Sequence, residues 1–270
     1  MFTLICAFFI VLFILRNDKC IIDMFMEGSN MLKITNVSKS YDQKKKAIDG
    51  INLEILPGDI YGFIGHNGAG KTTLLKSISG ILKFDSGEIT IFGKSIVKEG
   101  LEAKKLIAYI PDNPDIYDAL TGIQYLDFIA DVFSVDLEKR RSLINKYASM
   151  FEMDQVLNNP ISSYSHGMKQ KIVIMSALIH SPKVMLLDEP FVGLDPKASF
   201  LLKEVFHELV DNGALIFFST HVLEVAEKLC NKVAIIKNGK IVANGRTEEI
   251  IKDQSLENLF IELLNEHDVL

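Results

Sequence analysis

Eight consecutive residues constrain this chain more than any others. Gly65-His66-Asn67-Gly68-Ala69-Gly70-Lys71-Thr72 is a full match to the pattern G-x-x-x-x-G-K-[ST]. Ile60-Tyr61-Gly62-Phe63-Ile64 before it reads as a buried strand, and Thr73-Leu74-Leu75-Lys76-Ser77-Ile78 after it as a helix. The glycines let backbone N–H groups turn inward around phosphate oxygens, and the helix N-terminus adds positive potential. In that arrangement Lys71 reaches the β- and γ-phosphates of a nucleoside triphosphate, and the Thr72 hydroxyl sits on Mg²⁺. A glycine-rich turn without a ligand accounts for the glycines but leaves Lys71-Thr72 without a reason. The expected ATP contacts are therefore Gly65, His66, Asn67, Gly68, Ala69, Gly70, Lys71, Thr72 and Thr73.

Composition narrows the partners. A chain of 270 residues can bury a substantial core as one large domain or as a domain with an insertion. Its formal charge of −6 argues against a general nucleic-acid binder, which would present a basic surface. The one tight basic run, Lys44-Lys45-Lys46, reads as a solvated turn. Cys6, Cys20 and Cys230 are too scattered for a disulfide framework or a zinc site, and the histidines show no metal-ligand spacing. This usage fits a reducing compartment.

Met1 to Leu15 is almost wholly apolar and ends at Arg16-Asn17-Asp18-Lys19. It is shorter than the roughly 18 residues of a spanning helix. It also lacks the basic start and small-residue cleavage site of a signal peptide. Two readings stand: a real anchor, or a translated leader ahead of a start at Met31. The leader is favoured because Met26-Glu27-Gly28 can be encoded by AUG-GAG-GGN, which contains the GGAGG of a bacterial ribosome-binding site. Residues 1–30 are accordingly set aside as an N-terminal extension.

From Met31 the chain reads as strands with intervening helices. Ile51-Asn52-Leu53-Glu54-Ile55 alternates as a strand with one wet face, and Pro57-Gly58-Asp59 turns it toward the Gly65 loop. Gly87 to Gly93 and Leu106 to Ile110 are further strand candidates. Between Pro114 and Ser163 the apolar residues take helical spacing: Tyr125, Phe128, Ile129 and Phe133, then Leu143, Ile144, Tyr147 and Phe151. Strand signals return at Val184 to Leu187, Ala214 to Phe218 and Val233 to Ile236, the last leading into a hairpin turn at Asn238-Gly239. Apolar strands alternating with helices predict a mainly parallel α/β sheet covered on both faces. The expected organisation is an ATP-binding domain over 31–245, a helical subdomain inserted at about 114–165, and a helical tail over 246–270.

Val184-Met185-Leu186-Leu187-Asp188-Glu189-Pro190 is an apolar strand ending in two acids. Burying carboxylates there is costly unless a cation or hydrogen bonds compensate. Mg²⁺ shared with ATP phosphates would do so, with Asp188 holding the metal and Glu189 polarising an attacking water. Tyr164-Ser165-His166-Gly167-Met168-Lys169-Gln170-Lys171 precedes this strand by a helix, Gly193-Leu194-Asp195-Pro196 follows it, and His221 lies just beyond the Phe217-Phe218 strand. This order resembles the nucleotide-binding domains of ABC transporters over Leu32 to about Gly245.

The resemblance implies a P-loop NTPase core of mainly parallel sheet with an antiparallel β subdomain and an inserted α-helical subdomain. It implies that Ser165 and Gly167 touch the γ-phosphate held by a second ATP-binding subunit, either the same chain or a close paralogue. It assigns a γ-phosphate contact to His221 and adenine stacking to Tyr41. Two departures stand out. His166 and Met168 occupy positions where the commonest family version has glycine and glutamine. Asp112 falls where the family usually has a glutamine that ligates the metal, so it keeps an oxygen ligand while adding charge. Catalysis would then rest on Glu189, His221 and Lys71, and the metal on Thr72, Asp188 and Asp112.

No segment after Met31 could cross a bilayer by its hydropathy, so the resemblance implies a separate transmembrane permease. That would place the chain at the cytoplasmic face of the membrane. Tyr117-Asp118-Ala119-Leu120-Thr121 and Ser255 to Phe260 look like the exporter branch; an import ATPase is the alternative within the class. In the tail, Leu256, Phe260 and Leu263 form a helical stripe. A soluble ABC-type ATPase acting on ribosomes or DNA is the reading from another class. The chain has neither the second phosphate loop nor the sustained heptads that such proteins resemble.

Overall fold

The computed structural model describes residues 31–42, 45–113, 116–252 and 254–265. The apolar extension 1–30 lies outside them, as do Lys44 and Pro114. Among the described residues the order opens with β1 (Leu32–Ser40), β2 (Lys46–Ile55), β3 (Ile60–Ile64), α1 (Lys71–Ile78), β4 (Ser86–Ile91), β5 (Lys94–Ser95) and α2 (Gly100–Lys104). It continues with β6 (Ile107–Ile110), α3 (Gly122–Val132), α4 (Leu137–Met150), a 3₁₀ turn (Ile161–Ser163), α5 (His166–Ile179) and β7 (Val184–Asp188). The last part comprises α6 (Pro196–Asp211), β8 (Leu215–Thr220), α7 (Leu223–Leu229), β9 (Lys232–Lys237), β10 (Lys240–Arg246), α8 (Thr247–Ile251) and α9 (Leu256–Asn265).

Two sheets organise these elements. A six-stranded sheet runs in the order β10-β9-β3-β8-β7-β6, parallel from β9 to β6 and closed at one edge by antiparallel β10. A four-stranded antiparallel sheet runs in the order β2-β1-β4-β5. The expected α/β core with an antiparallel β subdomain is what forms. Among the described residues, no helix is long and apolar enough to cross a membrane.

The central strands read as continuous apolar runs because both faces of the large sheet are covered. Along β7, Val184 and Leu186 enter one core while Met185 and Leu187 enter the other. β8 alternates in step, with Leu215 and Phe217 on the first side and Ile216 and Phe218 on the second. The first core joins the large sheet to α1 and the small sheet; the second joins it to the helical layer and α9.

Local capping starts the helices of that layer. Thr121 caps α3 reciprocally with Gln124, its hydroxyl accepting from the Gln124 amide at 3.3 Å while Gln124 Oε1 accepts from the Thr121 amide at 2.9 Å. Asp136 caps α4, its carboxylate accepting from the Lys139 amide at 2.9 Å. Tyr125, Ile144, Tyr147 and Phe151 are buried as the spacing predicts. Phe128 departs from the stripe: Leu126 and Ala130 take the core side of α3, and Phe128 lies outward, edge-on to Tyr117 at 5.8 Å. In the tail, Leu256 is fully buried, and Phe260 and Leu263 pack partly buried against the second core.

Phe206 on α6 is fully buried and meets Phe191 at 6.0 Å and Phe218 at 6.1 Å between ring centroids. Replacing it by alanine removes these contacts and leaves a cavity. Phe206→Ala is expected to destabilise the fold by about 3–5 kcal/mol, read as a lower urea midpoint at unchanged slope.

Candidate active site

The loop leaves β3 and returns as α1 through a backbone that only glycine tolerates at its end. Gly70, the N-cap of α1, has φ +115°, and a Cβ there would stand 2.4 Å from the Ala47 carbonyl oxygen. The first amides of α1 have no partners within the helix, as at any helix start, and its first turn carries no acidic residue. That end therefore presents positive potential to the loop. Lys71 is only 6% exposed; its Nζ donates to the Gly65 carbonyl at 2.6 Å and lies 3.5 Å from the His66 carbonyl. The β9–β10 turn supports the loop from below: the Gly239 amide donates to the Ala69 carbonyl at 3.0 Å.

The acidic strand end faces this lysine. Asp188, 2% exposed, accepts from Ser219 Oγ at 2.5 Å. Glu189 sits at φ +50°, a left-handed conformation uncommon outside glycine, and its amide donates to Ser219 O and Oγ, each at 3.2 Å. Its Oε1 lies 3.5 Å from Lys71 Nζ, and its Oε2 lies 3.0 Å from His221 Nδ1 and accepts from the His221 amide at 3.3 Å. Glu189 Oε1 is buried with no hydrogen-bond partner among the described residues. A buried acceptor of this kind is costly to leave unmatched, so it fits a site built to meet a donor there.

Lys71, Asp188 and Glu189 open onto a cleft of about 440 Å³, whose lining does not include His221. Tyr41, His66, Asn67, Gly68, Gly70, Lys71, Thr72, Thr73, Asp112, Asp188 and Glu189 all line it. Gly65 and Ala69 shape the loop from behind, through the carbonyls already described. The Tyr41 hydroxyl lies 3.3 Å from Thr73 Oγ1 while the residue remains 67% exposed at the cleft edge. Burial, then the Asp188 and Asp112 carboxylates, push the Tyr109 phenol well above its ordinary range.

Ser165 and Gly167 are not part of this cleft. Ser165 caps α5 by accepting from the Met168 amide at 3.3 Å. The start of α5 packs instead on the turn after Glu189. A Cβ on Gly193 would come within 2.6 Å of the His166 ring, and one on Gly167 within 3.2 Å of the Gly193 carbonyl. Lys171 pairs with Asp195 at 3.1 Å. The Ala198 amide and then Lys171 hold the Asp195 carboxyl below the usual carboxylate range.

No cluster of three or more His, Cys, Asp or Glu able to hold a metal occurs among the described residues. The donors present are the Thr72 hydroxyl and the Asp188 and Asp112 carboxylates around one cleft. That set fits Mg²⁺, which binds through one or two carboxylates together with phosphate oxygens and water. Ser219, which joins Asp188 to the Glu189 amide, was not among the expected site residues. Its signal was a polar pair, Ser219-Thr220, ending an otherwise apolar strand.

A family model described as ABC transporter matches residues 48–192. The ABC transporter ATP-binding protein NatA of Bacillus subtilis is 32% identical over 85% of this chain and 95% of its own length. An uncharacterised ABC transporter ATP-binding protein of Synechocystis sp. is 32% identical over 83% of this chain, which spans 65% of that protein. The Nod factor export ATP-binding protein I of Burkholderia thailandensis is 31% identical over 81% of this chain and 71% of its own length. Among solved structures, an ATP-binding subunit of an ABC transporter superposes with a TM-score of 0.84 at 30% identity, covering 87% of this chain and all of that one.

Because Gly70 is held against the Ala47 carbonyl at positive φ, a side chain there forces the loop open. Gly70→Ala is expected to weaken ADP binding at least about tenfold by calorimetry. Its far-UV circular dichroism should stay that of the parent, since the strain is local.

Proposed function

The chain belongs to the ABC transporter family of ATP-binding proteins, an ATPase family, and from that premise we propose that it hydrolyses ATP to drive export through a separate permease. The observation that carries this reading is the convergence of Lys71, Asp188, Glu189 and His221 on one end of the parallel strands. Loop amides and the Lys71 ammonium bind the β- and γ-phosphates, and the exposed face of Tyr41 receives the adenine. Thr72, Asp188 and Asp112 would hold Mg²⁺, which supplies neutralising charge to the phosphates when bound. Glu189 accepts the proton of the attacking water. His221 holds the Glu189 carboxylate through Nδ1 and its own amide, which fixes the direction in which that carboxylate points.

Ser165 and Gly167 lie outside their own cleft, so they act on the ATP of a second subunit. Two chains then face each other head to tail across a two-fold axis, with ATP part of both contacts. Export is supported by the Tyr117–Thr121 and Ser255–Phe260 segments and by the relative named for Nod factor export. The permease tethers the pair to the cytoplasmic face of the membrane.

Removing the Glu189 carboxylate takes away the base but leaves the phosphate contacts. Glu189→Gln is expected to bind ATP with near-parental affinity and to hydrolyse it at least about a hundredfold more slowly, the scale of general-base loss. Parental turnover in that variant would remove Glu189 from the role.

The same variant should accumulate as a dimer in Mg-ATP, because ATP stabilises the closed pair by mass action and is no longer consumed. Adding Ser165→Arg places a bulky side chain against the partner's phosphate and should abolish the trapped dimer. Light scattering on the complex with its permease, with and without Mg-ATP, reads both states; a pair insensitive to ATP would refute the sandwich.

A further inference from the structure

Helix α9 is fastened at both ends to elements that the nucleotide site depends on. At its start, the Leu256 amide donates to Glu227 Oε2 at 2.7 Å, and Glu227 lies on α7, the helix that begins at Leu223 just beyond His221. At its end, Lys237 Nζ donates to the Leu263 carbonyl at 3.4 Å and to the Leu264 carbonyl. Between these points Leu256 is fully buried, and Leu259, Phe260 and Leu263 pack on the core.

Lys237 is itself only 8% exposed. A buried ammonium needs strong acceptors, and the last carbonyls of a helix are acceptors that carry partial negative charge. Lys237 also ends β9, where the two faces of the strand do different things. Ile236 lies under the phosphate loop: a Cβ on Gly65 would meet both its Cγ2 and its carbonyl oxygen at 2.7 Å. Lys237, the next residue, serves the tail on the opposite face. The turn that follows sends the Gly239 amide to the Ala69 carbonyl. One short stretch of backbone thus carries the tail on one side and the loop floor on the other.

We propose that α9 is a latch that positions the phosphate loop through Lys237, so that docking of the tail and binding of nucleotide strengthen each other. Lys237 is a positioning residue and touches no nucleotide. The inference rests on Gly65 to Thr73 being the nucleotide site, and is independent of the permease and of transport direction. Coupling between two binding events is reciprocal, so one constant governs both effects.

The test uses the full chain. Amide hydrogen exchange over 259–264 is measured with and without saturating Mg-ADP, and ADP affinity is measured for the parent and for Lys237→Met, which keeps the apolar stem. Glu227→Ala, which removes the acceptor of the Leu256 amide at the other end of α9, is the second variant. ADP is expected to slow exchange in the parental tail, and Lys237→Met should bind ADP at least about fivefold more weakly and lose that protection. A merely structural lysine would lower Tm without changing how the tail responds to ADP. Parental ADP affinity in Lys237→Met, or a parental tail indifferent to bound ADP, overturns the latch. Should Lys237→Met fail to fold, parental exchange and Glu227→Ala decide alone: weaker ADP binding in Glu227→Ala supports the latch, and parental affinity there overturns it. A parent that binds no ADP overturns the functional reading together with the latch.

Discussion

One ammonium group organises the site. Lys71 lies inside a loop that leaves it 6% exposed, where an unpaired charge would be prohibitive. Two features make its burial tolerable: the Gly65 carbonyl turned toward Nζ at 2.6 Å, and the Glu189 carboxylate at 3.5 Å. Each imposes a backbone requirement. The loop can curl around the lysine only with Gly70 pressed against Ala47, and Glu189 reaches it only from a left-handed position at the end of β7. Ser219 holds that position by accepting from the Glu189 amide while its hydroxyl donates to Asp188. The left-handed Glu189 and the buried Asp188 carboxylate therefore share one strand end, where parallel strands direct their carboxyl termini.

That arrangement needs a sheet rigid enough to bear it. β3, β7 and β8 are neighbours in one parallel array, so the loop, the acids and His221 leave adjacent strands at the same edge. Filling both faces with large side chains fixes their register: a slip of one residue would exchange the two cores at every position. The aromatic contacts around Phe217 and Phe218 lie directly behind the polar pair Ser219-Thr220. Packing in the core is thereby transmitted to the placement of Asp188 and Glu189.

What was legible in the sequence was contiguous. The Gly65–Thr72 loop, the Val184–Glu189 strand and the Asn238-Gly239 turn each fit in a short window, and each forms as read. Asn238 and Gly239 both take positive φ, as a tight hairpin demands. What escaped notice depends on residues far apart in the chain. The polar end of β8 marks Ser219-Thr220, but nothing local pairs Ser219 with Asp188, makes Ile236 the floor of the loop, or makes Lys237 the anchor of α9. β5, with only Lys94 and Ser95, is too short to carry any periodicity. Phe128 shows the opposite failure, since its helical spacing was correct but the choice of buried face was made by Leu126 and Ala130.

The turn from Glu189 to Asp195 connects the two surfaces on which the proposed sandwich depends. Glu189 begins it inside the cleft, and Gly193 ends it against His166 and Gly167 at the start of α5. Lys171 then ties Asp195, the cap of α6, back to α5. The His166 ring makes this contact. It occupies the space that a Gly193 side chain would need, so the two positions are constrained together. The imidazole fills the space left by the missing side chain at Gly193, so a side chain at 193 would have to displace it from its place against the turn that Glu189 begins.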